Sequence, residues 1–404
     1  MKSSKAVLLF LLFFNEIFNN ISVFNFPLRL FVLLTLILTY FITHKSHIIK
    51  DSLYDSKIFN YYIIYVLSIF IGLLINGNIE LDFILKKLFT YLPISIFYFF
   101  YISNTLLNFK QISILKKCLL FTAYIHFILI IFQFYQYEIF WKIPGFFSDD
   151  FDYLGNGKYN YFTKTSQILP VGLLDFSVTS GYLILIFSPF YLFIKRNYFR
   201  IIFIFLSLIA ASTLGQRSVV IFLVIFYVYM FFSNSLLSKV SYKRNFINIL
   251  FFALILLSLQ LSINYEIINS RLYQGFEDNN RSELLITFLN FASDNIFGGA
   301  NEYYRQLDNS SYELNLPHNL FLNSWVLGGF PSFILSLILF YKSIKFLLQK
   351  AKSRNIQDYP LSPFCISCIL IIANSLFHNQ GFSTFDNYFF LCISFSNIKL
   401  LRNG

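Results

Sequence analysis

The sequence predicts an all-α polytopic membrane protein of about 12 transmembrane helices, with a large outer loop containing short helices. Three observations predict it. Hydrophobic residues make up 57% of the chain and Asp, Glu, Lys and Arg only 13%, against roughly 25% charged residues in soluble domains. The 55 phenylalanines among 404 residues carry more apolar surface than a water-soluble fold of this size can bury. Apolar runs of about 17 to 25 residues, enough to cross a hydrocarbon core, recur along the whole length. No separate soluble domain interrupts them, so residues 1–404 read as one integral membrane domain.

The expected spans fall at about 6–23, 27–43, 58–75, 89–107, 118–137, 171–194, 199–214, 217–237, 246–263, 318–340, 361–378 and 386–398. The first apolar run, from Ala6 to Phe14, meets Asn15-Glu16 without a small-residue cleavage site and reads as a span. With the N-terminus inside, the inner segments hold 21 of the 31 basic residues, as in Lys116-Lys117, Lys195-Arg196 and the stretch from Lys342 to Arg354. Only Asp51, Asp55 and Asp358 oppose them there. Every second loop then obeys the positive-inside rule, and both termini are expected in the cytoplasm. The net charge of +11 is a topology signal and not a nucleic-acid patch.

Two long segments remain on the outer side, about 138–170 and 264–317, and loops of this length usually have a task. The first carries Asp149, Asp150, Asp152 and the turn Gly155-Asn156-Gly157. Asp150-Phe151-Asp152 has a spacing known from metal sites but reads as a solvated loop. Cys365-x-x-Cys368 has redox or zinc-ligand spacing with no matching Cys or His pair, and reads as buried apolar filler. No metal or cofactor is expected.

The second segment is richer. Asn279-Asn280-Arg281-Ser282-Glu283 reads as the start of a short amphipathic helix, with Asn280 as N-cap and Glu283 completing a capping box. Leu284, Leu285, Phe288, Leu289 and Phe291 or Ala292 form its apolar face. Asn295-Ile296-Phe297-Gly298-Gly299 follows, and then Leu316-Pro317-His318-Asn319-Leu320-Phe321 opens an apolar run interrupted by Gly328-Gly329-Phe330-Pro331. Arg281 at a helix N-terminus either builds an anion site, with a guanidinium fork suited to phosphate, or solvates a surface helix beside Glu283. Arg217, in the polar break Leu214-Gly215-Gln216-Arg217-Ser218, reads from composition as a boundary arginine that snorkels to lipid headgroups. Arg271 and Arg305 are further cations of the same outer loop. His318 stands at the expected first turn of a span, where the helix dipole disfavours imidazolium and leaves a ring able to accept a proton. A boundary histidine is also commonly structural, and Asn319 beside it either orients a substrate or caps the helix. Asp175, Glu16 and Glu138, near outer span ends or inside spans, are further ionisable candidates.

An arginine, a Phe-Gly element and a His-Asn-x-x-Leu element in this order resemble the O-antigen ligase/polymerase family, the Wzy and WaaL type of bacterial envelope enzyme. The resemblance covers Arg217 and residues 281–331; it departs from the usual pattern where the second glycine is shifted, giving Gly298-Gly299-Ala300. It implies a glycosyltransferase of the bacterial inner membrane acting at the periplasmic face, so that the loop at 264–317 is periplasmic. Arg217 and Arg281 would hold the diphosphate of an undecaprenyl-pyrophosphate-linked oligosaccharide, and His318 would act as base. Asn319, Arg305 and Arg271 would contact substrate. Expected partners are that donor, membrane lipids and a chain-length regulator, with no nucleic acid. The acceptor separates two activities: a repeat-unit polymerase for O-antigen or capsule, favoured here, and a ligase onto lipid A-core. A lipid-linked oligosaccharide flippase is the rival from another class. It would want charges along a central cavity, and the span interiors are nearly free of Lys and Arg.

The orientation is directly testable. Single cysteines replacing Asn156 or Ser310 should react with an impermeant thiol reagent from outside, and one replacing Ser353 should not. Labelling of Ser353→Cys from outside would invert the topology.

Overall fold

A computed structural model describes residues 9–10, 22–23, 26–27, 57–75, 106–135, 139–140, 170–173, 177–214, 216–235, 279–299, 302–303, 319–352, 362–376 and 399–401. These are mostly helical: α1 (Lys57–Ile75), α2 (Phe109–Phe134), α3 (Ser177–Phe187) continued by a 3-10 segment (Ser188–Phe193), α4 (Asn197–Thr213), α5 (Arg217–Ser235), α6 (Asn279–Asp294), α7 (Leu320–Lys352) and α8 (Ser362–Asn374). Two short strands, β1 (Leu106–Asn108) and β2 (Lys399–Leu401), pair in parallel with Leu107 opposite Leu400. Among the described residues three helices, α1, α2 and α7, are long and apolar enough to cross a membrane, and the chain is a membrane protein. The expected spans at about 27–43, 89–107, 246–263 and 386–398 lie almost wholly outside the described residues, as does most of 6–23.

Local chemistry explains where the described elements depart from the expected spans. α2 begins at Phe109 and not near 118 because Asn108 and Gln111 form a reciprocal capping box. The Gln111 N–H donates to Asn108 Oδ1 at 2.8 Å and the Asn108 N–H to Gln111 Oε1 at 3.0 Å. Lys110, Lys116 and Lys117 therefore ride on the helix itself. The run expected at 171–194 is broken twice. Its first residues form a turn, and Pro189, which has no N–H for the α ladder, tightens the end into a 3-10 segment.

The chain divides into two compact units, one of residues 1–19, 23–119 and 279–404 and the other of 20–22 and 120–278. In the first unit α1 shows the inverted amphipathicity of a membrane helix. Tyr62, Tyr65, Val66, Ile69 and Gly72 are buried, while Ile64, Leu67, Ile71 and Leu74 form an exposed apolar stripe.

α7 is not one straight rod. Gly329 takes φ 75° and ψ −173°, and Pro331 follows it. The Phe321 ring lies 5.2 Å from Phe340 and 6.5 Å from Phe333, and Trp325 lies 5.3 Å from Phe333. Along an unbroken helix Phe321 and Phe340 would stand roughly 28 Å apart at 1.5 Å per residue. The arms before and after Gly329 therefore fold back on one another. The straight span expected at 318–340 is corrected by its own Gly328-Gly329-Phe330-Pro331 interruption, which cannot continue the ladder.

α1 packs against both arms. Tyr65 and Ser324 share a hydroxyl hydrogen bond of 2.9 Å on the first arm, and Ser68 and Ser332 one of 2.8 Å on the second. At the bend, a Cβ on Gly72 would lie 2.4 Å from the Cα of Gly328. Small residues permit that approach, and they drive helix association where lipid removes the hydrophobic incentive. At the other end of α1, the Lys342 ammonium sits 5.9 Å from the Tyr61 ring centre. α8 closes the unit, with Cys365 and Cys368 buried as thiols.

In the second unit α3, α4 and α5 pack through aromatic edges and buried hydroxyl contacts such as Ser207 to Tyr227 at 2.7 Å. Tyr191 meets Tyr227 edge-on at 5.5 Å, and Phe127 of α2 meets Phe203 at 5.3 Å.

The fold-back of α7 makes a sharp prediction. In a background free of native cysteines, Phe321→Cys combined with Phe340→Cys should be joined by a short bismaleimide, and Phe321→Cys with Leu348→Cys should not. A straight α7 would give no product with either pair.

Candidate functional site

One element of the second outer segment, the loop Asn295–Gly299, meets the bend of α7. α6 begins at Asn279, so Asn280 lies inside its first turn, where the sequence predicted a cap, and Arg281 stands in that same turn. Of the apolar face expected for α6, Phe288 and Phe291 are buried against Val326 and Tyr303, with Trp325 and Leu322 alongside. Leu285 and Leu289 are exposed. Packing against α7 selects the narrower face, because one helix can cover only part of an apolar arc this wide.

After Asp294 the chain turns. Asn295 caps the helix end, with its Nδ2 donating to the Phe291 carbonyl at 3.0 Å. The next residues enter the hydrogen-bond ladder of α7. In a continuous helix the Phe330 N–H would donate to the Val326 carbonyl. Here the Phe330 N–H donates to the Ile296 carbonyl at 2.7 Å, and the Val326 carbonyl accepts from the Gly299 N–H at 3.0 Å. The Trp325 indole adds a bond to the Asn295 carbonyl at 3.1 Å. The loop thus replaces one rung of the broken helix and satisfies both of its freed groups, as apolar surroundings require. Two glycines make the contact possible. Gly298 takes φ +84°, and a Cβ on it would fall 2.7 Å from the Gly329 nitrogen; a Cβ on Gly329 would fall 2.4 Å from the Phe297 carbonyl carbon. The shifted glycine pair therefore has a definite geometry.

At the far end of the first arm, Asn319 is a helix cap. Its Oδ1 accepts from the Phe321 N–H at 2.8 Å, and its Nδ2 donates to the Leu376 carbonyl at 3.1 Å. The Leu320 N–H donates to the Ser375 carbonyl at 3.2 Å. Asn319 thereby ties the start of α7 to the end of α8, and this amide has a structural task whatever else it touches. Because α7 folds back, Asn319 lies at the end of the hairpin remote from Gly329, where the sequence placed it at the mouth of a straight span.

Arg217 is the first residue of α5, in the second unit. Gln216 before it is buried, its carbonyl accepts from the Val220 N–H at 3.2 Å, and its side chain packs over Gly181. The side chains of Arg217 and Arg281 lie outside the described residues, as do His318, Arg271, Arg305, Asp175, Glu16 and Glu138. Among the described residues no three His, Cys, Asp or Glu side chains gather as metal ligands.

One buried polar cluster escaped the sequence reading. Gln133 of α2 accepts the N–H groups of Val171 and Gly172 at 2.9 and 2.7 Å. Its amide nitrogen, Nε2, donates to the carbonyls of Phe140 and Gly172 at 3.1 and 3.0 Å. His126, one side and two turns away on α2, accepts the Leu173 N–H at Nδ1, 3.2 Å, so its proton is on Nε2, which faces the Ser180 carbonyl at 3.3 Å. His126 is a structural histidine. The available signal was a glutamine one residue before the end of an apolar helix, seven after a histidine, and no proximity in sequence tied either to residues 171–173.

No protein-family model matches the chain, and no curated protein matches it.

The docking is testable by stability. Gly298→Ala should cost about 1–3 kcal/mol through overlap with backbone and lower the melting temperature in detergent. Phe297→Ala, at an exposed neighbour, should leave it nearly unchanged.

Proposed function

We propose that the protein is a polysaccharide repeat-unit polymerase, for O-antigen or capsule, in the bacterial inner membrane with both termini cytoplasmic. It transfers glycan from an undecaprenyl-pyrophosphate carrier to an acceptor sugar hydroxyl at the periplasmic side. The observation that carries this reading is the docking of Asn295–Gly299 into the Gly328–Pro331 break. Two elements of the stretch that resembles the ligase/polymerase family, the Asn295–Gly299 loop and the Gly328–Pro331 break, bond to one another, with Arg281 on the helix leading into the loop and Asn319 capping the helix that ends at the break.

In this reading the forked guanidinium groups of Arg281 and Arg217 hold the diphosphate and stabilise charge developing on the leaving group. A diphosphate leaving group needs no acid. His318 takes the proton from the attacking hydroxyl, and in-line attack inverts the anomeric carbon. Arg271 and Arg305 remain further substrate contacts.

Purified protein incubated with carrier-linked repeat units, with and without lipid A-core, tests the reading. A ladder of lengths supports the polymerase, one product coupled to lipid A-core assigns a ligase, and no glycan transfer rejects both. Arg217→Ala and Arg281→Ala should each abolish most transfer, with lysine restoring only part. His318→Ala and His318→Gln should lose about 10²- to 10⁴-fold in rate while still binding donor, and the wild-type rate should fall on acidification as the imidazole protonates. Near-normal turnover by His318→Gln would make the histidine a positioning group.

A further inference from the structure

α6 has three sectors, and packing inside the protein accounts for only one. Phe288 and Phe291 are covered by α7 and Tyr303. Leu285, Ile286 and Leu289 occupy the next arc at 100° per residue, and they are 47%, 59% and 59% exposed. Beyond them, on the opposite flank, Asn290 and Asp294 are exposed too. Ser293 falls within the apolar arc, and its hydroxyl is bonded back to the Asn290 carbonyl at 2.8 Å. The loop adds Ile296 and Phe297, also exposed.

The level of this apolar flank follows from α1. That helix has 19 residues, about 28 Å at 1.5 Å per residue, which matches a hydrocarbon core of about 30 Å. Gly72 lies three residues before its end at Ile75 and touches Gly328. The loop bonds to Val326 and Phe330 on either side of that contact. Loop and helix end therefore stand at one boundary of the hydrocarbon layer, and Trp325, whose indole holds the Asn295 carbonyl, belongs to the aromatic belt expected there. A helix with an apolar flank, a polar flank and an anchoring aromatic at this level has the character of an in-plane interfacial helix.

We infer that α6 lies in the membrane interface, with Leu285, Ile286, Leu289, Ile296 and Phe297 among lipid acyl chains and Asn290 and Asp294 in water. The occupant of the exposed apolar flank is lipid. This stands on α1 crossing the membrane and does not depend on the glycan chemistry.

Photo-crosslinking of the full-length protein tests it. Leu289, Phe297, Asn290 and Ile64 are replaced one at a time by p-benzoyl-phenylalanine, and each variant is reconstituted in vesicles of phosphatidylglycerol and phosphatidylethanolamine with alkyne-tagged acyl chains. Leu289 and Phe297 should yield tagged lipid adducts at least five-fold above Asn290, close to the yield from Ile64 on the exposed stripe of α1. Adducts from Ile64 with none from Leu289 and Phe297 overturn the inference, whether water or another protein surface covers them. Equal yield from Asn290 and Leu289 removes the sidedness and overturns it as well. No adduct from Ile64 rejects the membrane crossing of α1, and the inference falls with it. All four positions are exposed, and each variant is first checked for wild-type elution by gel filtration.

Discussion

One missing rung in a helix organises the first unit. Between Val326 and Phe330 the α7 ladder is open, and in apolar surroundings an unpaired N–H and carbonyl cost several kcal/mol. The loop at Ile296–Gly299 supplies both partners. The bend in α7, the position of α6 and the placement of Trp325 all follow from that exchange. Without the loop the bend would expose its backbone; without the bend the loop would have nowhere to bond.

The small residues around the bend make the same point sterically. Gly72 and Gly328 bring α1 to the tip of the hairpin at near-backbone contact, while Ser324 and Ser332, four residues to either side of Gly328, each hold a hydroxyl of α1. Ser332 also returns a bond to the Gly328 carbonyl at 2.9 Å. The stripe therefore serves two ends, since it admits a neighbouring helix and replaces lost ladder bonds.

Much of this was legible in the sequence, and the gaps have physical causes. α1, α4, α5 and α8 were expected within a few residues because each is a continuous apolar run bounded by polar residues. α2 was expected too short, since hydropathy excludes lysines while the helix begins wherever Asn108 and Gln111 can cap it. Both glycine motifs were visible, Gly328-Gly329 as an interruption of an apolar run and Gly298-Gly299 as a loop element. Their docking was not, because it depends on backbone groups that carry no residue signature. Asn319 was foreseen as substrate contact or cap, and the cap is what its bonds display. Arg217 and Arg281 were foreseen near helix starts, and α5 and α6 do begin at or just before them.

Gln133 touches both feet of the segment between α2 and α3, Phe140 on one side and Val171 with Gly172 on the other. A single amide thus sets the separation of the two anchor points. The residues strung between them can change in number without altering that separation, and lengthening such a tether adds only about 0.6 kcal/mol per doubling. The arrangement is a socket: the spacing of the two anchor points is set by one side chain of α2 and not by the length of chain between them.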